Sequence, residues 1–234
     1  MEQILLPSKI HYKEGRHIHE GILTVEPCFY GYGTTIGNAL RRVLLSSLPG
    51  AAVTAVKVKG VSHEFQAIPN VKEDMLEVIL NMKGLRLKMH TDDPVKLSLH
   101  IEGETVVTAS LIEPNADVEI VNPDLVIATL TDKEAVFDME IVVERGRGFR
   151  PTEERKSPQS EIGMISIDAL FSPVKNVGYK VENTRVGEIT NYDKLIMTIE
   201  TDGTITPEEA VRMSSKVLID HFDILLGNPM SVLS

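Results

Sequence analysis

A helix with more apolar surface than a single core requires is written into residues 35–48. Thr34 or Thr35 supplies a hydroxyl that can accept from a first-turn amide, and Pro49-Gly50 stops the helical pattern, because proline cannot continue the ladder and glycine tolerates positive φ. At about 100° per residue, Ile36, Ala39, Leu40, Val43, Leu44 and Leu48 fill one broad arc. Asn38, Arg41, Arg42 and Leu45 share the opposite side. A leucine among two arginines and an asparagine suits a protein partner better than water. The plainer alternative is a core helix with one exposed leucine.

A second helix ends the chain's periodic pattern. Thr206 is its expected N-cap, Pro207 its first residue, and Glu208 and Glu209 lie in the positive first turn, with Thr206 and Glu209 spaced as a capping box. Ala210, Val211, Met213, Val217, Leu218, Phe222, Ile224 and Leu225 again cover a wide arc, closed by Gly227-Asn228-Pro229.

Between the two helices the chain reads mainly as strand. Residues 17–26, 52–61, 85–89, 95–102, 104–111, 136–144, 177–186 and 194–201 are rich in β-branched residues and partly alternating. Residues 73–83 carry helical spacing at Met75, Leu76, Ile79, Leu80 and Met82, and residues 150–161 read as an exposed mobile loop with two prolines. The fold class expected is α+β: an antiparallel-sheet unit with two packed helices, residues 1–49 plus 176–229, interrupted by a mixed α/β insert, 50–175, with 230–234 as a tail.

The 234 residues are 42% hydrophobic, enough to bury a sizeable core, and the formal charge of −10 offers no general attraction to phosphate. One cysteine, Cys28, permits no internal disulfide and no multi-cysteine metal site. No apolar run approaches the roughly 20 residues that span a bilayer, and Met1-Glu2-Gln3 lacks the basic start of a signal peptide. A cytoplasmic protein is expected.

Four motifs carry possible chemistry. Gly31, Gly33 and Gly37 before a helix superficially match a dinucleotide-binding turn, but the spacing is off by one, Pro27 breaks the preceding strand, and Lys57 and Lys59 stand where a ribose-binding acid is needed. Arg145-Gly146-Arg147-Gly148-Phe149 could offer guanidinium forks to phosphate, against a reading as a strand end with glycine bulges. His17 and His19 share one strand face without a third metal ligand in view, and no acidic cluster suited to two magnesium ions occurs. The residues thus favour an interaction protein over an enzyme. A nucleotide-binding enzyme using residues 31–37 and a nucleic-acid binder using Arg145 and Arg147 remain the alternatives.

Gly37–Gly50, Leu80–Leu85, Asp117–Asn122, Arg145–Phe149, Ser172–Val174 and Thr201–Ala210, in this order and spacing, closely resemble the N-terminal domain of the bacterial DNA-directed RNA polymerase alpha subunit. The resemblance implies a non-catalytic homodimer that nucleates assembly of the beta and beta-prime subunits, with omega and sigma in the holoenzyme. It implies a dimer interface of Ile36, Leu40, Val43, Leu44, Val217, Leu218, Phe222 and Leu225, a beta contact of Asn38, Arg42 and Leu45, and a beta-prime contact of Lys83, Asp168 and Ser172. It further implies no cofactor on this chain, catalytic magnesium on beta-prime, promoter DNA reached only indirectly, and a nucleoid-associated place in the cytoplasm. The matched family's linker and C-terminal DNA-binding domain would begin near Ser234. Archaeal alpha-like subunits, whose insert often holds several cysteines, match less well.

Overall fold

The computed structural model describes residues 4–154 and 163–227. In chain order, β1 (Lys9–Glu14), β2 (Glu20–Cys28) and α1 (Tyr32–Ser46) come first. The middle holds β3 (Pro49–Val58), α2 (Met75–Lys83), β4 (Leu87–Met89), β5 (Val95–Glu102), β6 (Thr105–Thr108), β7 (Val118–Ile120) and β8 (Val126–Leu130). It continues with β9 (Val136–Arg147), β10 (Phe149–Arg150), β11 (Ile165–Ser166) and β12 (Ala169–Leu170). The chain closes with β13 (Val174–Val186), β14 (Ile189–Thr201) and α3 (Pro207–Leu225). The fold is α+β, with antiparallel sheets and three α-helices among the described residues.

Two compact units result: Met1–Leu48 with Ser172–Ser234, and Pro49–Phe171. In the first, the sheet order is β1-β2-β14-β13, so the two ends of the chain meet in one sheet. Leu23, Leu195, Met197 and Ile199 project from the sheet into a core completed by Leu40, Leu44 and Leu48 of α1 and Ala210 and Val211 of α3. In the second, the order is β11-β3-β9-β5, and α2 buries Met75, Val78, Ile79 and Met82 against that unit's own core. Asp74 caps α2, its carboxylate accepting from the Glu77 amide at 2.8 Å.

Several local expectations need correction. The helix starts at Tyr32 and not at 35, and neither Thr34 nor Thr35 caps it; the Thr35 hydroxyl donates instead to the Gly31 carbonyl at 3.2 Å. Pro49 and Gly50 do more than stop the helix, since they already pair with Arg147 and Gly146 as the start of β3. Val174 pairs with Thr201, so the return crossing falls at Phe171/Ser172, earlier than 175/176. Pro27 does not break β2: the ladder to β14 skips a residue between Asp193↔Cys28 and Leu195↔Val25, a place where a missing amide is tolerated. Strand β1 was not anticipated at all, and the run 104–111 turns into a short 3-10 helix at Ala109–Leu111. Of the loop expected at 150–161, Arg150 belongs to β10 and Thr152–Glu154 form a 3-10 turn, whereas 155–161 lie outside the described residues.

Candidate functional site

Helix α1 owes its position to two glycines and one distant carboxylate. Its buried line is Gly33, Gly37, Leu40 and Leu44, which is helical spacing. A Cβ on Gly37 would stand 2.8 Å from the Tyr179 ring and 2.9 Å from Leu195, so only glycine lets the helix lie this close to β13 and β14. Gly31, at φ 77°, turns the chain into the helix without a side-chain cap. The cap comes from 160 positions away: Asp193 of β14 accepts from the Gly33 amide at 3.0 Å. The glycine series therefore serves packing, and the helix N-terminus that would greet a phosphate already holds a carboxylate.

The opposite side of α1 is open. Asn38 and Arg42 are exposed and Leu45 is half-buried. Arg41, next to Arg42 in sequence, folds back and donates through Nε to the Val177 carbonyl at 3.1 Å. Both arginines are exposed, and of the two it is Arg41 that is tied to the sheet.

Helix α3 packs only by its first half. The capping box is present, with the Thr206 hydroxyl accepting from the Glu209 amide at 3.2 Å and Glu209 Oε2 accepting from the Thr206 amide at 3.0 Å. Ala210, Val211 and Ser214 are buried, and Val217 and Leu218 are half-buried. Beyond them Phe222 is 58% exposed, Ile224 60% and Leu225 81%. Beside α3 lies an apolar groove of about 810 Å³ lined by Ile10, Tyr12, Ile36, Leu40, Val211 and Ile219, among others.

The structure separates the residues expected at a twin-subunit contact. Leu40 and Leu44, 6% and 0% exposed, lie in the unit's own core and have little surface left to offer. Ile36, Val43, Val217 and Leu218 are intermediate, while Phe222 and Leu225 are freely exposed. Sequence reasoning passed over Ile10, Tyr12 and Ile219; the first two alternate along Lys9–Glu14, a pattern that could have revealed the strand.

In the second unit Lys83 Nζ and Asp168 Oδ2 form an ion pair at 3.2 Å. Asp168 also accepts from the Thr152 amide at 3.0 Å, and these two bonds, the amide first, hold its carboxyl below the usual range. Ser172 belongs to the first unit, where its hydroxyl lies 3.2 Å from both the Leu45 and Val174 carbonyl oxygens. Arg145 pairs with Asp92 at 2.7 Å on the end of β9. Gly146 abuts the Phe171 ring, and Gly148, at φ 64°, makes the turn into β10, so the glycines of this motif have structural work. His17 and His19 lie in the turn joining β1 and β2, not on a strand face. No helix among the described residues is long and apolar enough to cross a membrane.

Comparisons with known proteins identify the family. Residues 56–172 match the family described as RNA polymerase Rpb3/RpoA insert domain. The chain is 52% identical over 206 residues to the DNA-directed RNA polymerase subunit alpha of Alkaliphilus oremlandii, covering 88% of this chain and 65% of the relative. It is 51% identical over 207 residues to that of Oceanobacillus iheyensis, covering 88% and 66%. With that of Moorella thermoacetica it shares 51% identity over 216 residues, covering 92% of this chain and 69% of the relative. The chain thus spans about two thirds of the length of the curated relatives it matches. On the family match and these identities, this chain belongs to the DNA-directed RNA polymerase alpha-subunit family.

Proposed function

We propose that the chain is a non-catalytic scaffold subunit of a cytoplasmic DNA-directed RNA polymerase, a nucleotidyltransferase complex, and that it acts as a homodimer. The observation that carries this reading is the overhang of α3, where Phe222, Ile224 and Leu225 stand in solvent on the helix whose earlier residues, up to Ile219, line an apolar groove of the same unit. Large apolar groups clustered in this way favour association over solvation. A two-fold contact places one protomer's overhang against its partner's groove and does so twice. At about 1.5–3 kcal/mol for each large side chain removed from water, a handful per protomer offsets an association cost of about 4–15 kcal/mol.

The beta subunit is received on Asn38, Arg42 and Leu45 of α1, and beta-prime on the face of the second unit around Lys83 and Asp168. Omega and sigma join the same complex, the catalytic magnesium resides on beta-prime, and promoter DNA is reached through the partners. Support for the beta face comes from the exposed Arg42 and half-buried Leu45. Support for the beta-prime face comes from the ion pair at 3.2 Å. The occupied N-terminus of α1 speaks against the nucleotide-binding alternative.

Analytical ultracentrifugation with and without the beta subunit tests the reading. The expected result is a dimer that gains mass on adding beta, and a folded monomer for Phe222→Asp. A wild-type chain that sediments as a monomer, or a dimer indifferent to beta, would overturn it.

A further inference from the structure

The second unit holds a hollow of about 250 Å³ between the end of α2 and the β10–β12 ribbon. That is below the roughly 300–1,000 Å³ typical of ligand pockets and suits a side chain better than a cofactor. Phe149 and Leu170 are direct cross-strand partners, so both project from one face of the ribbon, where they are 62% and 55% exposed and line the hollow. Met82 and Leu85, both buried, line the same hollow.

The charges on its rim are unequal in their availability. Asp168 is engaged through both oxygens, one by Lys83 and one by the Thr152 amide. Arg86 also lines the hollow, and its guanidinium gives one N–H to the Lys83 carbonyl at 3.2 Å; no other described residue accepts from it. A guanidinium has five donors in a planar fork that matches a carboxylate. An apolar hollow beside a largely unengaged fork is complementary to an apolar side chain next to an acid.

We infer that this hollow seats an extended segment of a partner protein in which Asp or Glu lies within two residues of an aliphatic or aromatic side chain. The apolar side chain fills the space beside Phe149 and Leu170, and the carboxylate takes Arg86. This rests on the assembly role proposed for the Lys83–Asp168 face and gives the chemistry of what docks there. Nucleic acid fits less well, because the wall is apolar and Asp168 would oppose a phosphate next to Lys83.

Two measurements on the assembled polymerase test it. With photoreactive benzoylphenylalanine at position 149, irradiation should cross-link the chain to a large-subunit peptide of the stated composition. Cross-linking only to nucleic acid, or only to a basic or purely polar peptide, overturns the inference. In parallel, Arg86→Glu and Phe149→Ser should each weaken beta-prime association by about tenfold, with Arg86→Lys less affected and with the melting temperature and dimer unchanged. If Lys83→Glu weakens association while Arg86→Glu and Phe149→Ser do not, the hollow is not the seat although the assembly face stands. If none of the three has an effect, the assembly face itself is refuted.

Discussion

Asp193 shows how one side chain can decide where a helix begins. It is buried, and its carboxylate satisfies an amide that the first turn of α1 would otherwise leave without a partner. Asp193→Ala should lower unfolding stability by about 1–2 kcal/mol, whereas Asp193→Asn, which keeps an acceptor oxygen, should lose much less; urea denaturation of both variants measures the difference. An equal loss for both would show that charge, and not the cap, matters at this position. Residues 34 and 35 look like caps in sequence because threonine at a helix start usually is one. They are displaced because Gly31 can adopt φ 77° and begin the helix a turn earlier. At Thr206, with Pro207 fixing the first helical residue, the expected capping box forms.

At the scale of elements, the two wide-faced helices meet different fates. The arc of α1 containing Leu40 and Leu44 is consumed by its own sheet, so Leu40→Asp would damage the fold and could not report on dimerisation alone. The arc of α3 is consumed only up to its middle, which leaves the remainder in solvent. Both arcs were legible as apolar; their allocation was not, since periodicity specifies a face and says nothing of how much sheet lies beneath it.

The solvent face of the second unit's sheet carries a cross-strand ladder with a pH signature. His100 of β5 faces Asp138 of β9 and bonds it through Nδ1, Lys59 Nζ approaches the other Asp138 oxygen at 3.2 Å, and Glu102 lies 3.4 Å from His100 Nε2. The bond to Asp138 raises the imidazole above its ordinary 6.5, and the same bond holds the Asp138 carboxyl below its ordinary 3.8. Stability from the raised histidine is complete below 6.5 and is lost as pH rises through the folded-state value. Stability from the depressed aspartate is present above 3.8 and is lost as pH falls through its folded-state value. The melting-temperature difference between wild type and His100→Gln should therefore be greatest between pH 3.8 and 6.5 and narrow as pH rises through the folded-state value of His100. Circular dichroism melts across that range measure it, and the effect should be small because the ladder is solvent-exposed.

On the scale of the whole molecule, the first unit is discontinuous in sequence: it is completed only by residues that follow the whole of the second. The proposed scaffold role uses both units, and its sharpest test is on α1. Arg42→Ala should leave the dimer intact and weaken beta capture by about 2–5 kcal/mol, the range for removing one partner of a buried interfacial charge pair. Titration of labelled dimer with beta measures it, and undiminished binding would remove Arg42 from the interface.

The sequence by itself determined the α+β class, the strand-rich middle between two apolar helices, the capping box at Thr206 and the family, because hydrogen-bonding propensity, side-chain periodicity and motif order are all properties of neighbouring residues. Tertiary structure decided the rest. It placed Asp193 at the start of a helix 160 positions away, tied the exposed Arg41 to the Val177 carbonyl, and buried Leu44 but left Leu225 in solvent. Burial depends on which distant surface a residue meets, and that is established only when the sheet brings the two ends of the chain together.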